Sequence, residues 1–301
     1  MRITSNMIAA QQMTGIQSNL ALLEQAQQRV TTGNRFSAAS EDPSAAVKVM
    51  SAGSSLRALE QYRTNVQRAS SRISVEDATL QQLGDLITRA RELGVSQATD
   101  TASAQTRGVA NAEVQEIFKQ IAELGNTKFG NEYLFGGQQN TTAPFSTSGS
   151  GATIDYSSTA AQGQRSISIG DGQTVAPTHD GKQIFLDTGV FDAVKALSKA
   201  LDPTSPTYGS NGIASALSNI DTAYSAVQQV VGDTGAQANR LSSVSQNLAA
   251  LKTNLTTFRS DLQEVDLETA MTELTNRQTA YQAALLATSK VSSLNLTDYL
   301  R

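Results

Sequence analysis

The two ends of this chain carry the same apolar pattern, and that repetition restricts the fold more than any other feature. Near the start, Met13, Ile16, Leu20, Leu23, Gln27 and Val30 follow one another at steps of three and four, after an opening Ile3 and Met7. Near the end, Leu267, Met271, Leu274, Gln278, Tyr281 and Leu285 do the same, with Val291, Leu294 and Leu296 beyond them. Such spacing holds one seam of a helix toward a partner. A lone helix with one apolar stripe gains little in water, because most helix stability comes from burying the stripe. The two ends are therefore expected to pair. Their flanks hold few charges: Arg2, Glu24 and Arg29 in residues 1–30, and Glu268, Glu273, Arg277, Lys290 and Asp298 in 267–300. A solvated coiled coil is usually flanked by Glu and Lys. Gln, Asn, Ser, Thr and Ala take those places here, so the pair is expected to be buried in an assembly, with the seam as its interface.

Composition agrees with a bundle of long helices. Hydrophobic residues make up 39% of the 301, aromatics only 5%, and Trp is absent, which suits narrow apolar stripes better than one large core. The net charge of −4 comes without a basic cluster, which argues against nucleic acid or an anionic membrane as partner. With no cysteine, disulfides, thiol catalysis and cysteine metal sites are excluded. The start lacks the continuous apolar core of a cleaved signal, and no stretch approaches a membrane span.

Along the chain, Gly33 and Asn34 can stop the first helix, and Asp42 before Pro43 reads as an N-cap with proline at the first helical position. A second helix is expected from Pro43 to about Thr99, on the order of 80 Å long, with a seam from Leu59 to Ala90 interrupted only by Glu76. A third should end at Gly125. The segment 131–140, with Tyr133, Leu134 and Phe135 among glycines, suggests a hairpin. Residues 141–188, rich in Ser, Thr and Gly, read as a small β-rich insertion that should be exposed. Helix returns at Val190–Leu197, and a long seam runs from Ile213 through Leu251 and Phe258, residues expected in the core. Gly232-Asp233-Thr234-Gly235 weakens that helix by about 2 kcal/mol in propensity, so a bend or tolerated flaw is expected there.

The resulting class is mainly α with a small β-rich insertion: an elongated antiparallel helical bundle, its terminal helices paired and its β domain at the far end. Three domains follow: 1–32 with 267–301, a long-helix bundle of 43–140 with 189–262, and the outer insertion 141–188.

MRIT at the start, TTGNRFSAASEDPSAAVKV at 31–49, NEYLFGGQQNTTAPF at 131–145, GDGQTV at 170–175, GVFDAVKAL at 189–197 and EVDLETAMTELTNRQTAYQAALLATSKVSSLNLTDYL at 264–300 together resemble the flagellin superfamily. Within it they are most similar to the subunits at the hook–filament junction. The resemblance implies an extracellular structural subunit of the bacterial flagellum, exported by the flagellar type III system without a cleaved signal. It implies as partners a ring of identical subunits, hook-associated protein 1, flagellin and a cytoplasmic export chaperone. It also implies that Thr31–Asp42 and Asp261–Asp266, with Gly33, Asn34, Asp42, Asp261 and Asp266 among them and Pro43 directly after, connect the inner pair to the next layer. The alternative within the family is a short flagellin-type filament subunit, against which the MRIT start, the YLFGG block and the TDYL ending argue.

No enzyme is expected. His179 is the only histidine, so neither a histidine metal cluster nor a Ser-His-Asp triad can be built, and a solvated loop residue is the expected role. IGDGQ at 169–173 lacks the lysine and following helix of a phosphate loop and reads as a β-turn. Glu41-Asp42 is explained by capping. No cofactor, metal or catalytic residue is assigned.

Overall fold

The computed structural model describes residues 5–150, 155–159, 163 and 166–299. Among the described residues six α-helices carry the fold: α1 (Ser5–Thr32), α2 (Pro43–Gln97), α3 (Ala104–Gly125), α4 (Val190–Leu201), α5 (Ser210–Gln263) and α6 (Leu267–Tyr299). Between α3 and α4 lie β1 (Lys128–Phe129), β2 (Glu132–Tyr133), β3 (Phe145–Ser148), β4 (Asp155–Ser158), β5 (Ile167–Gly170), β6 (Gln173–Val175) and a π-helical turn at Lys182–Leu186. The strands pair as three separate antiparallel ribbons, β1 with β2, β3 with β4 and β5 with β6. The expected class, a helical bundle with a small strand-containing insertion, is the one observed.

The helix boundaries follow from local chemistry. Asp42 caps α2, its Oδ1 accepting from the Ala45 N–H at 2.9 Å, while Pro43 occupies a position whose N–H would have no partner. Ser103 caps α3 through Thr106 N–H at 3.2 Å. That helix ends at Gly125, where a Cβ would stand 2.5 Å from the Phe145 ring, so the close approach requires glycine. The hairpin turns at Gly130 (φ 65°) and Asn131, pairing Phe129 with Glu132, a few residues earlier than the glycine pattern suggested. Helix α5 passes through Gly232–Gly235 without interruption.

The chain divides into two compact units, residues 59–249 and residues 1–58 with 250–301, and α2 and α5 contribute to both. In the first, Leu80, Leu83 and Ile87 of α2, Val114, Phe118 and Ile121 of α3, α4, and Ile213 to Val227 of α5 form a continuous core.

Residues 146–150 and 171–174 are exposed, as expected of the insertion, but its apolar side chains are not, and there the expectation is corrected. Phe145, Ile184 and Phe185 are buried in that same core. Phe191 is ringed by Phe118 at 5.4 Å, Phe145 at 5.3 Å, Phe185 at 6.0 Å and stacked Tyr156 at 4.6 Å. Two hydrogen bonds between Asn126 and the Phe145 backbone, 2.8 and 3.0 Å, hold β3 to the end of α3. The insertion has too few apolar residues for a core of its own, and it lends them to the helices instead.

Candidate assembly interface

The unit of residues 1–58 and 250–301 is built around the pairing of α1 and α6. At the end of α1, Gly33 adopts φ 69° and its N–H returns to Arg29 O at 2.9 Å, a glycine C-cap. The chain then forms a single antiparallel bridge, Asn34 with Glu264. Its two hydrogen bonds are Arg35 N–H to Gln263 O at 2.7 Å and Val265 N–H to Gly33 O at 2.9 Å. Helix α6 starts directly after, with Asp266 accepting from Glu268 N–H at 3.0 Å and Thr269 Oγ1 at 3.1 Å. Arg29 meets Glu273 at 3.4 Å across the pair, a half-exposed contact of small worth. Opposite, Arg35 meets Asp42 at 2.8 Å. The Ala45 N–H, then Arg35, holds the Asp42 carboxyl below the usual carboxylate range.

Gly33, Asn34, Asp42, Pro43 and Asp266 thus all lie at this joint. Asp261 does not: α5 continues through Gln263, so Asp261 is an exposed helical residue and the connection on that side is Glu264–Asp266.

The seam residues divide. Ile16, Leu23, Val30, Leu274 and Tyr281 are half-buried. Met7 is 62% exposed, Met13 60%, Met271 59%, Leu267 54%, and Leu20 and Leu285 are exposed as well. The side chains of Ile3, Val291, Leu294 and Leu296 lie outside the described residues. Among the described residues, the hydrophobic side chains fully buried in this unit are Ala26, Ala45, Ala46, Ala52 and Ala270. The fully buried groups are thus alanines, and Met7, Met13, Leu267 and Met271 among the larger apolar groups face outward.

Four further exposed apolar residues, Val47, Met50, Leu251 and Phe258, lie on α2 and α5 within this unit, and Leu286 is 70% exposed on α6. Leu251 and Phe258 were expected in the core and are not. Periodicity identifies a stripe but does not say what covers it; the mixture of large apolar residues with scarce charge was the available signal. Large apolar side chains left exposed in such number within one unit are candidates for an interaction site.

Among the described residues, no group of three His, Asp or Glu side chains could hold a metal, and no helix is long and apolar enough to cross a membrane.

The chain matches the bacterial flagellin N-terminal helical region over residues 3–140 and the C-terminal helical region over 217–300. The chain belongs to the flagellin family. Its matched segments contain both terminal helices, all of α2, most of α5, and the joint. It is therefore a structural component of the bacterial flagellum. Among curated proteins it is similar to flagellar hook-associated protein 3 of Escherichia coli K12, 26% identical over 98% of each chain. It is also similar to flagellin FlaB2 of Treponema pallidum, 26% identical over 91% of each. Among solved structures it resembles a flagellar hook-associated protein from Vibrio parahaemolyticus, with TM-score 0.66 and 18% identity over 74% of this chain and 100% of that one. Hook associated protein-3 from Legionella pneumophila superposes with TM-score 0.62 and 15% identity, over 71% of this flagellin-family chain and 98% of its own; at such identities the likeness concerns the fold.

Proposed function

We propose that this flagellin-family chain is the adaptor that joins the hook, through hook-associated protein 1, to the flagellin filament. The reading is supported by similarity to hook-associated protein 3 along nearly its whole length. The observation that carries assembly through the ends is the outward-facing apolar surface of α1 and α6, which their own pairing leaves uncovered. In this reading 1–32 with 267–301 form the inner tube, 43–140 with 189–262 the next shell, and 141–188 the outer surface. A ring of identical subunits covers the seam. Export proceeds through the flagellar type III channel as an unfolded chain, with a chaperone guarding it inside the cell. Terminal helices whose fully buried apolar side chains, among the described residues, are alanines suit such a route, since they order fully when neighbours supply apolar surface.

A second reading, a short filament subunit, is favoured by one observation: the Bacillus subtilis flagellin is 25% identical over the full length of both chains. Deleting the gene separates the two. Loss of the adaptor leaves hooks with hook-associated protein 1 in place and flagellin shed into the medium; loss of a filament subunit leaves complete junctions without filament.

A further inference from the structure

In the unit of residues 59–249, the interruption of the α2 seam and the sole histidine turn out to be one feature. Glu76 has no exposed side-chain surface, and the His179 side chain is only 11% exposed. Nδ1 of His179 stands 2.7 Å from Glu76 Oε1, and the His179 backbone N–H reaches the same oxygen at 3.2 Å. Thr234 of α5, itself buried, donates to Val230 O at 2.9 Å and lies 3.5 Å from that Glu76 oxygen. The expectation of a solvated loop histidine is therefore corrected. The reason is long-range: α2, the segment after β6 and α5 meet at one carboxylate.

We propose that Glu76, His179 and Thr234 form a protonation-gated latch, which fastens the return of the β insertion onto α2 and α5 when the imidazole is charged and loosens when it is neutral. Because Nδ1 faces a carboxylate, it carries the proton in both states; what changes on deprotonation is the charge. A buried carboxylate that loses its countercharge is strongly unfavourable. The remaining charged groups around it do not replace the imidazolium. Arg72, one turn before Glu76, is engaged with Glu132 at 3.1 Å and lies over the Phe129 ring. Asp180 accepts from Gln183 N–H at 2.9 Å and from Gly163 N–H at 3.3 Å, and Asp233 of α5 is acidic as well. Among the described residues Glu76 Oε2 has no hydrogen-bond partner, so the single oxygen facing His179 carries the contact.

The bond from Glu76 raises the His179 pKa above 6.5 against the opposing effect of burial, and Asp233 and Asp180 act in the same direction. A folded-state value above the unfolded one means that the stabilisation is complete below pH 6.5 and is lost as pH rises through the folded value.

With one histidine in the chain, the imidazole Cε1–H resonance of the full-length protein reports the latch without assignment. It is expected to titrate above 6.5 in the wild type and at lower pH in Glu76→Gln. Amide exchange at residues 178–183, corrected for intrinsic chemistry, is expected to accelerate through the same midpoint, and in His179→Gln to be fast at all pH values. Should Glu76→Gln fail to fold, the wild-type titration and the His179→Gln exchange profile decide alone. Titration at or below 6.5, or the same pH profile of exchange in wild type and His179→Gln, would overturn the proposal.

Discussion

The two units of this molecule use the same kind of helix to opposite ends. Residues 59–249 bury Phe118, Phe135, Phe185 and Phe191 with Leu and Ile from three long helical stretches. Residues 1–58 and 250–301 bury alanines and expose Met7, Met13, Leu267, Met271 and Phe258. Burying an alanine methyl is worth about 0.8 kcal/mol, against about 1.5–3 kcal/mol for a phenylalanine, while the entropy of ordering each residue is similar in both. The first unit can close its own account of apolar surface. The second leaves large apolar side chains exposed, and in the proposed assembly neighbours cover them.

Leu274→Asp should have the largest effect. A carboxylate in the seam is expected to leave export intact and to abolish stable incorporation at the junction, read as loss of motility with the subunit recovered from the medium. Normal motility would break the comparison, because the seam would then be ordinary surface.

Phe191→Ala tests the other side. Removing the ring at the centre of the aromatic group should cost about 3–5 kcal/mol of stability in residues 59–249, seen as a lower urea midpoint by circular dichroism. A loss below about 1 kcal/mol would mean that the insertion only decorates the helices.

Asp266→Ala sharpens the picture at a smaller scale. Loss of the α6 cap should cost about 1 kcal/mol of helix stability, seen as reduced helicity of the free subunit, with Asp266→Asn retaining most of it.

Local signals in the sequence were sufficient where the cause is local. Asp42-Pro43 starts α2, Gly33 stops α1 and Gly125 stops α3 because caps and terminators act within a turn. What escaped was non-local. Phe145 and Phe185 sit in a stretch of Ser, Thr and Gly, and only the fold reveals that α3 and α4 need them. Glu76 reads as a defect until His179, 103 residues later, is brought to it. Leu251 and Phe258 keep the period of a core stripe whether a neighbouring helix or a neighbouring subunit covers them. The joint was legible on one side in Gly33, Asn34 and Asp42, while Asp266 came only from the family resemblance; the bridge from Asn34 to Glu264 was not legible, since one backbone pair leaves no periodicity.

Amide hydrogen exchange of the isolated chain in dilute solution tests the central contrast most directly. Residues 5–30 and 270–299 are expected to exchange rapidly while α3, α4 and residues 80–93 of α2 stay protected. Equally strong protection across both units would show that the terminal helices are stable without neighbours, and would contradict the account.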